Sequence, residues 1–168
     1  MSFHEAYRQH AEMVWRVLRR LGVREADVED VCQDAFTIIY RKLPQFAGRS
    51  ALRTWIYGVA LRCASDYRRR GHVLREVPTE APGDGAADPP QLSSIERREA
   101  RACLDALIAQ LDEEKRAVFV LFEMEELPMP EVAEVLGCPL QTAYSRLHTA
   151  RRQMEAAVAR LQLRESHR

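Results

Sequence analysis

The chain has 168 residues, of which 46% are hydrophobic and 30% charged, a composition typical of one or two small globular domains. No apolar run approaches the roughly 20 residues that a membrane span needs, and the charged start MSFHEAYRQH is unlike a signal peptide. We therefore expect a cytoplasmic protein without stable membrane insertion. The four cysteines are spread singly and no Cys–His pair has metal-ligand spacing, so the sequence implies no metal and no other cofactor.

The formal net charge is zero, but the charge is unevenly distributed along the chain. Residues 1–72 have 13 basic and 8 acidic side chains, and residues 140–168 have 6 basic and 2 acidic ones. Between them, residues 73–99 have 3 basic and 6 acidic side chains, and residues 100–139 have 3 and 9. Because local patches rather than total charge govern affinity for phosphates, the two basic ends favour a nucleic-acid partner.

Three amphipathic helices are predicted at the start of the chain. Apolar residues recur at steps of three and four over residues 3–21, and Gly22 ends this stripe. A second stripe covers residues 28–43 and stops at Pro44. A third helix follows Ser50, a suitable N-cap. Its inward residues are predicted to be Leu52, Trp55, Ile56, Val59 and Cys63.

The segment VPTEAPGDGAADPPQLS contains four prolines, two glycines, several acids and hardly any large apolar side chain. Such a segment cannot bury enough surface to offset the entropy of ordering it, so it predicts a flexible linker. We therefore divide the chain into a first domain over residues 1–72, an acidic Pro/Gly linker over 73–94 and a second domain over 95–168.

Four more helices are predicted after this linker. One covers residues 95–111, and Asp112 caps the next, which ends near Met124. Gly137 ends a short helix that begins at Pro130, and the last helix covers residues 140–163. With no strand pattern, the sequence predicts an all-α protein of two small helical domains, the second a four-helix, winged-helix-like helix-turn-helix domain.

The last helix has one apolar and one polar face. The apolar face is predicted to contain Ala143, Leu147, Ala150, Met154 and Val158. The polar face contains Gln141, Ser145, His148, Thr149 and Arg152, with Tyr144, Arg146 and Arg151 at its margins. Such side chains can bond to base edges and phosphates in the major groove. Arg146 lies near the buried border, so it either braces the fold or reaches a phosphate.

Two different surfaces are predicted in the first domain. Asp30, Gln33, Asp34 and Thr37 share the polar side of the second helix, and such an acidic patch suits a basic protein partner better than DNA. The third helix instead combines arginines with Trp55, Tyr57 and Tyr67, the combination that binds single strands by stacking and phosphate pairing. Trp55 fits either a core position or a wedge in melted DNA, and Phe36 either a docking residue or the core.

Residues 30–70 resemble the extracytoplasmic-function (ECF) sigma factors, which are bacterial RNA polymerase initiation factors. The family's DxxQDxF motif is matched by Asp30, Gln33, Asp34 and Phe36. Its FxGxSxxxTWLYxIA pattern is matched by Phe46, Gly48, Ser50, Thr54, Trp55, Ile56, Tyr57, Val59 and Ala60, and its DxxRR ending by Asp66, Arg69 and Arg70. In the second domain, LDEEKRAVFVLFEMEELPMPEVAEVLG is similar to the helices that lead into the family's −35-reading helix, and TAYSRLHTAR is similar to that helix itself.

The resemblance implies a sigma factor with no enzymatic activity that binds core RNA polymerase, selects promoters and assists melting. It implies core-polymerase contacts by Asp30, Gln33, Asp34, Phe36 and Thr37. It implies contacts to the single-stranded −10 element by Phe46, Arg49, Ser50, Arg53, Tyr57, Arg62 and Arg69. It implies contacts to the double-stranded −35 element by Gln141, Thr142, Tyr144, Ser145, Arg146, His148, Thr149 and Arg152. An anti-sigma protein is a further implied partner.

Two departures from the family pattern bear on DNA contacts. Arg62 stands where the family commonly has Asn, and residues 141–144 read QTAY where GTVK is common.

An autonomous helix-turn-helix transcriptional regulator is the alternative function, although it would have no use for the acidic patch or the arginine-rich third helix. An enzyme is disfavoured because the chain has no glycine-rich nucleophile turn or phosphate loop.

Overall fold

A computed structural model describes residues 2–74 and 92–167. The α-helices are α1 (Phe3–Arg20), α2 (Glu25–Lys42), α3 (Leu52–Leu74), α4 (Leu92–Ile108), α5 (Glu113–Phe119), α6 (Met129–Leu136) and α7 (Leu140–Ser166). A 3-10 turn (Leu43–Gln45) follows α2, and a π-helical turn (Val120–Met124) continues α5. Within these described ranges there is no strand, which confirms the all-α prediction, and no helix is long and apolar enough to cross a membrane.

The helix ends follow the predicted local chemistry. Ser2 caps α1 in a capping box with Glu5. The Asp112 carboxylate accepts a hydrogen bond from the backbone N–H of Lys115 at 2.9 Å, so it caps α5 as predicted. Gly137 ends α6 with φ +62°, a left-handed conformation that costs glycine little.

Helix extends into both ends of the predicted 73–94 linker. α3 continues to Leu74 and α4 begins at Leu92, so both edges of the 73–94 segment are helical. Residues 75–91, which contain most of the predicted linker, lie outside the described residues.

Helices α1, α2 and α3 pack against one another and bury their apolar stripes, while α5, α6 and α7 form the helix-turn-helix unit. The two units also pack on each other through α3 and α6, and one continuous cluster of buried side chains extends through both. Thr54 of α3 is buried there and donates a hydrogen bond to the Glu131 carboxylate of α6 at 2.6 Å. The domains are thus docked, with polar groups in the contact.

Candidate nucleic-acid interface

The acidic patch on α2 has the predicted exposure. Asp30, Gln33, Asp34 and Thr37 are all exposed, and the Thr37 hydroxyl donates to the Gln33 carbonyl at 2.9 Å. Phe36 is only 4% exposed, and its ring lies 4.7 Å from that of Tyr7 between centroids. The structure therefore places Phe36 in the core, where it supports the patch from below.

A shallow groove of about 390 Å³ lies between α1 and α2 beside this patch. Its lining comprises Tyr7, Ala11, Glu12, Trp15, Glu29, Cys32, Gln33 and Phe36. The exposed sides of Tyr7 and Trp15 give the groove aromatic walls, and Glu12 and Glu29 are carboxylates in its lining. This combination suits a protein partner that carries basic and apolar side chains, because aromatic side chains are enriched at protein interfaces.

The loop before α3 and the first turn of that helix form one aromatic contact. The Phe46 and Trp55 rings lie 5.3 Å apart between centroids, and both residues are half-buried. Arg49 next to them is exposed and Ser50 is half-buried, while Gly48 has φ +65°. Trp55 thus packs partly against Phe46 rather than wholly in the core.

Farther along α3, two of the predicted strand-binding arginines face solvent. Arg62 is exposed and its Nε donates to the Gly58 carbonyl at 3.1 Å. Arg69 is exposed and lies 3.6 Å from the Asp66 carboxylate. Exposed guanidinium groups held only by such local contacts remain able to pair with phosphates.

Arg53 and Tyr57, the remaining predicted strand contacts, lie against the second domain. Tyr57 is fully buried, and its hydroxyl donates to the Glu125 carboxylate at 2.8 Å. Arg53 donates through Nη2 to the backbone carbonyl of Glu125 at 2.8 Å and to the Tyr57 hydroxyl at 3.0 Å. The sequence analysis predicted an accessible Tyr57, whereas in this arrangement the domain contact covers its ring.

Glu125 is a buried residue of the domain contact that the sequence analysis did not single out. Its side chain is 1% exposed and accepts two hydrogen bonds from Arg16, at 3.0 and 2.8 Å, and one from Arg20 at 2.7 Å. Burial alone would raise the pKa of Glu125, but the hydrogen bonds from Arg16 and Tyr57 outweigh it and lower this pKa. Burial beside Glu125 raises the pKa of Tyr57 to about 12, so its hydroxyl stays a donor.

No local pattern identifies Glu125 in the sequence. It lies in an acidic stretch, EMEEL, where its neighbour Glu126 is exposed and adopts φ +55°. Only the docking of the domains distinguishes the two carboxylates.

The polar face of α7 is largely as predicted. Gln141, Tyr144, Ser145, His148 and Arg152 are exposed, and Thr142 and Thr149 are half-buried. On the opposite face, the prediction for Val158 was wrong, since that side chain is 38% exposed and Ala157 is buried instead. The core face follows positions 143, 147, 150, 154 and 157, because the long helix keeps its alternating steps of three and four.

Two arginines of α7 are engaged within the second domain. Arg146 is half-buried and lies 2.9 Å from the Glu114 carboxylate, so in this structure it braces the fold. Arg151 pairs with Glu123, and its guanidinium carbon lies 5.6 Å from the centroid of the Phe122 ring. Arg152, by contrast, is on the exposed polar face with the other candidate DNA contacts.

Together these features define a two-domain helical protein with a helix-turn-helix unit. Its first domain combines an acidic patch with an arginine-rich helix. The family model described as Sigma-70 region 2 matches residues 6–72, and that described as Sigma-70, region 4 matches residues 101–154.

Several curated relatives are similar over most of the chain. The RNA polymerase sigma-H factor of Pseudomonas aeruginosa is 34% identical over 83% of this chain and 77% of its own. The ECF RNA polymerase sigma-E factor of Escherichia coli K12 is 32% identical over 81% of this chain and 76% of its own. ECF RNA polymerase sigma factor SigE of Mycolicibacterium smegmatis is 30% identical over 95% of this chain, which spans 62% of that relative.

The chain therefore belongs to the ECF sigma factors of the sigma-70 family, and it is a transcription initiation factor. The alternative of an autonomous helix-turn-helix regulator is not favoured. The region 4 model matches the second domain, but the region 2 model also matches the first domain. The sigma factor family is not an enzyme class.

Two solved structures share the fold. The structure of CnrH in complex with the cytosolic domain of CnrY has a TM-score of 0.70 and 23% identity, covering 94% of this chain and 87% of that one. The sigma factor RpoE in complex with the anti-sigma factor NepR from Bartonella quintana has a TM-score of 0.68 and 20% identity, covering 92% and 98%.

Proposed function

We propose that the two domains make separate contacts during initiation, the first with core RNA polymerase and the −10 strand and the second with the −35 duplex. The observation that supports this most strongly is the separation of surfaces by charge. Exposed carboxylates and an amide cover one side of α2, whereas exposed arginines follow α3 and the polar face of α7. A single DNA-binding surface would have no need of the acidic patch.

In this proposal Asp30, Gln33, Asp34 and Thr37 contact a basic surface of the polymerase. They extend over two turns of one rigid helix, and Phe36 beneath them is fixed by aromatic packing. A patch held on a rigid helix is preorganised, so little side-chain or backbone entropy is lost when the partner binds.

The −10 strand would contact Phe46, Arg49, Ser50, Arg53, Tyr57, Arg62 and Arg69. Arg62 and Arg69 would pair with phosphates, and the Phe46–Trp55 edge provides an aromatic surface for an unstacked base. Because the Tyr57 ring is fully buried in the domain contact, its participation requires that the domains separate, whereas Arg53 is exposed although it donates to the Glu125 carbonyl.

The −35 duplex would be read by the exposed face of α7. Gln141, Tyr144, Ser145 and His148 lie toward the start of that helix, the end that a recognition helix directs at base edges. Arg152, one turn beyond, would pair with a phosphate, with Thr142, Arg146 and Thr149 at the margins of the contact. Each domain alone would bind weakly, and the covalent link would raise the effective concentration of the second contact.

We further propose that the protein works in the cytoplasm without enzymatic activity of its own, and that an anti-sigma protein restrains it. Supporting the last point, one structural neighbour is the sigma factor RpoE in complex with the anti-sigma factor NepR, and the other is CnrH in complex with the cytosolic domain of CnrY. The exposed α2 surface and its adjoining groove are candidate contacts for such a partner.

The acidic patch can be tested by replacing Asp30 and Gln33 together with Ala. Because the two residues are exposed, the fold should persist while affinity for core polymerase, measured by fluorescence anisotropy of the labelled chain, falls about tenfold or more. Affinity for a −35 duplex without core should not change. The matched control removes one carboxylate and one amide elsewhere, at exposed Glu165 and Gln162. Equal losses of core and duplex affinity, or equal effects of both double variants, would contradict the assignment.

A further inference from the structure

Two large apolar side chains are exposed at the start of α7, beside its polar face. Leu140 is 42% exposed and Tyr144 is 47% exposed. Because they are four residues apart on one helix, their side chains are neighbours on adjacent turns. This apolar pair offers its partner a kind of contact that the hydrogen-bonding groups of the same face cannot make.

The start of α7 is the end that the proposed function directs at the duplex. Pro139 is the N-cap of α7 and its side chain cannot accept a hydrogen bond, so the first N–H groups of the helix can donate to a DNA phosphate. Gln141 and Ser145, which alternate with the apolar pair, are exposed and can bond to base edges. A partner that covers Leu140 and Tyr144 also meets these polar groups, which favours the major groove over an apolar protein surface.

The arginine on the same side of α7 as the apolar pair is engaged within the second domain. Arg151 pairs with Glu123, and its guanidinium carbon lies 5.6 Å from the centroid of the Phe122 ring. Tyr144 itself stands where lysine is common in the family pattern GTVK. A lysine would pair with a phosphate or with guanine, whereas the tyrosine ring has an apolar face. This chain therefore has an aromatic ring instead of a cation on its proposed reading face.

We propose that Leu140 and Tyr144 contact the 5-methyl groups of one or two thymines, which makes the chain specific for those bases at fixed positions of its −35 element. The thymine methyl is the apolar group that a base edge presents in the major groove. Base pairs rise about 3.4 Å and helix turns about 5.4 Å, so the two side chains can reach the same or neighbouring pairs. This inference rests on the proposed −35 contact of α7 and deepens it by naming the base.

The test compares thymine with uracil, which lacks only the 5-methyl group. Duplexes with a randomised −35 region are first selected for binding to holoenzyme formed from the full-length chain and core polymerase. Each thymine of the selected −35 element is then replaced in turn by uracil, in a labelled duplex that ends upstream of the −10 element. We expect replacement of one or two of them to weaken binding of the wild-type holoenzyme about fourfold each in fluorescence anisotropy, the effect of one buried methyl group.

Four variants assign this effect to the apolar pair. Tyr144→Ala and Leu140→Ala should each abolish the difference between thymine and uracil at the base that the missing side chain contacts. Tyr144→Phe keeps the ring and should retain the fourfold difference. Leu163→Ala is the matched control, since it removes a leucine of the same helix that is 61% exposed, and it should behave as the wild type.

The inference is overturned if no thymine is sensitive to the loss of its methyl group, or if both alanine variants at the apolar pair keep the wild-type difference. It is also overturned if Tyr144→Phe weakens binding to thymine and uracil duplexes alike, which would indicate a contact between the hydroxyl and a phosphate. Weaker binding of Tyr144→Ala to core polymerase, with the difference unchanged, would overturn it in favour of a protein contact. Failure of the proposed function would look different, because the wild-type holoenzyme would then select no common −35 sequence, and the inference would fall with it.

Discussion

Replacing Tyr57 with Phe removes one hydroxyl group from the domain contact. The substitution keeps the buried ring and removes the hydroxyl that donates to Glu125 at 2.8 Å and accepts from Arg53 at 3.0 Å. A hydrogen bond to a charged group contributes about 1.5–3 kcal/mol. Because Glu125 keeps its donors on Arg16 and Arg20, we expect the lower end, a loss of about 1.5–2 kcal/mol in the free energy of unfolding.

The assay is urea unfolding followed by far-ultraviolet circular dichroism, with the loss taken from the midpoint at an unchanged slope. Tyr40→Phe is the matched control, because Tyr40 is exposed and its ring contact with Phe3 survives the change. We expect the control to stay within about 0.5 kcal/mol of the wild type. If Tyr57→Phe is no more destabilising than Tyr40→Phe, the hydroxyl does not stabilise the docked domains and the reasoning fails.

Three further predictions concern other residues. Replacing exposed Arg152 with Ala should reduce the salt dependence of −35 duplex binding by about one unit of slope, whereas an unchanged slope would exclude a phosphate contact. Asp112→Ala removes the α5 cap and should cost about 1 kcal/mol in urea unfolding; no loss would show that the cap is dispensable. The pKa of Glu125 is lowered from 4.5, so its stabilising effect is complete above that pH and is lost as the pH falls through the folded-state pKa. The stability difference between wild type and Glu125→Gln should therefore shrink in acid, and a constant difference would contradict that sign.

The sequence predicted the helices, the cap of α5 and the end of α6, because those features depend on neighbouring residues, whereas α4 begins and ends three residues before the predicted 95–111 range. Gly137 ends α6 through its own backbone conformation. Asp112 caps α5 through a hydrogen bond from the backbone N–H of Lys115, three residues away. The predicted register near the end of α7 was wrong by one residue, since Ala157 rather than Val158 lies on the buried face.

The domain contact could not be predicted, because it depends on residues about 70 to 110 positions apart. The family resemblance implies a strand contact for Tyr57, and no residue near it in the sequence indicates that it is covered. What covers Tyr57 is Glu125, which no local rule distinguishes from exposed Glu126. The α2 patch was predictable because all its members lie on one helix.

Run-off transcription with purified core RNA polymerase over fragmented genomic DNA tests the central claim most directly. A sigma factor should convert core polymerase, which does not select promoters by itself, into an enzyme that produces discrete transcripts from a limited set of promoters. The account predicts such transcripts with the wild-type chain and a marked loss with Asp30 and Gln33 both replaced by Ala. Tight sequence-specific DNA binding by the free protein, with no transcript gained on adding core polymerase, would contradict it.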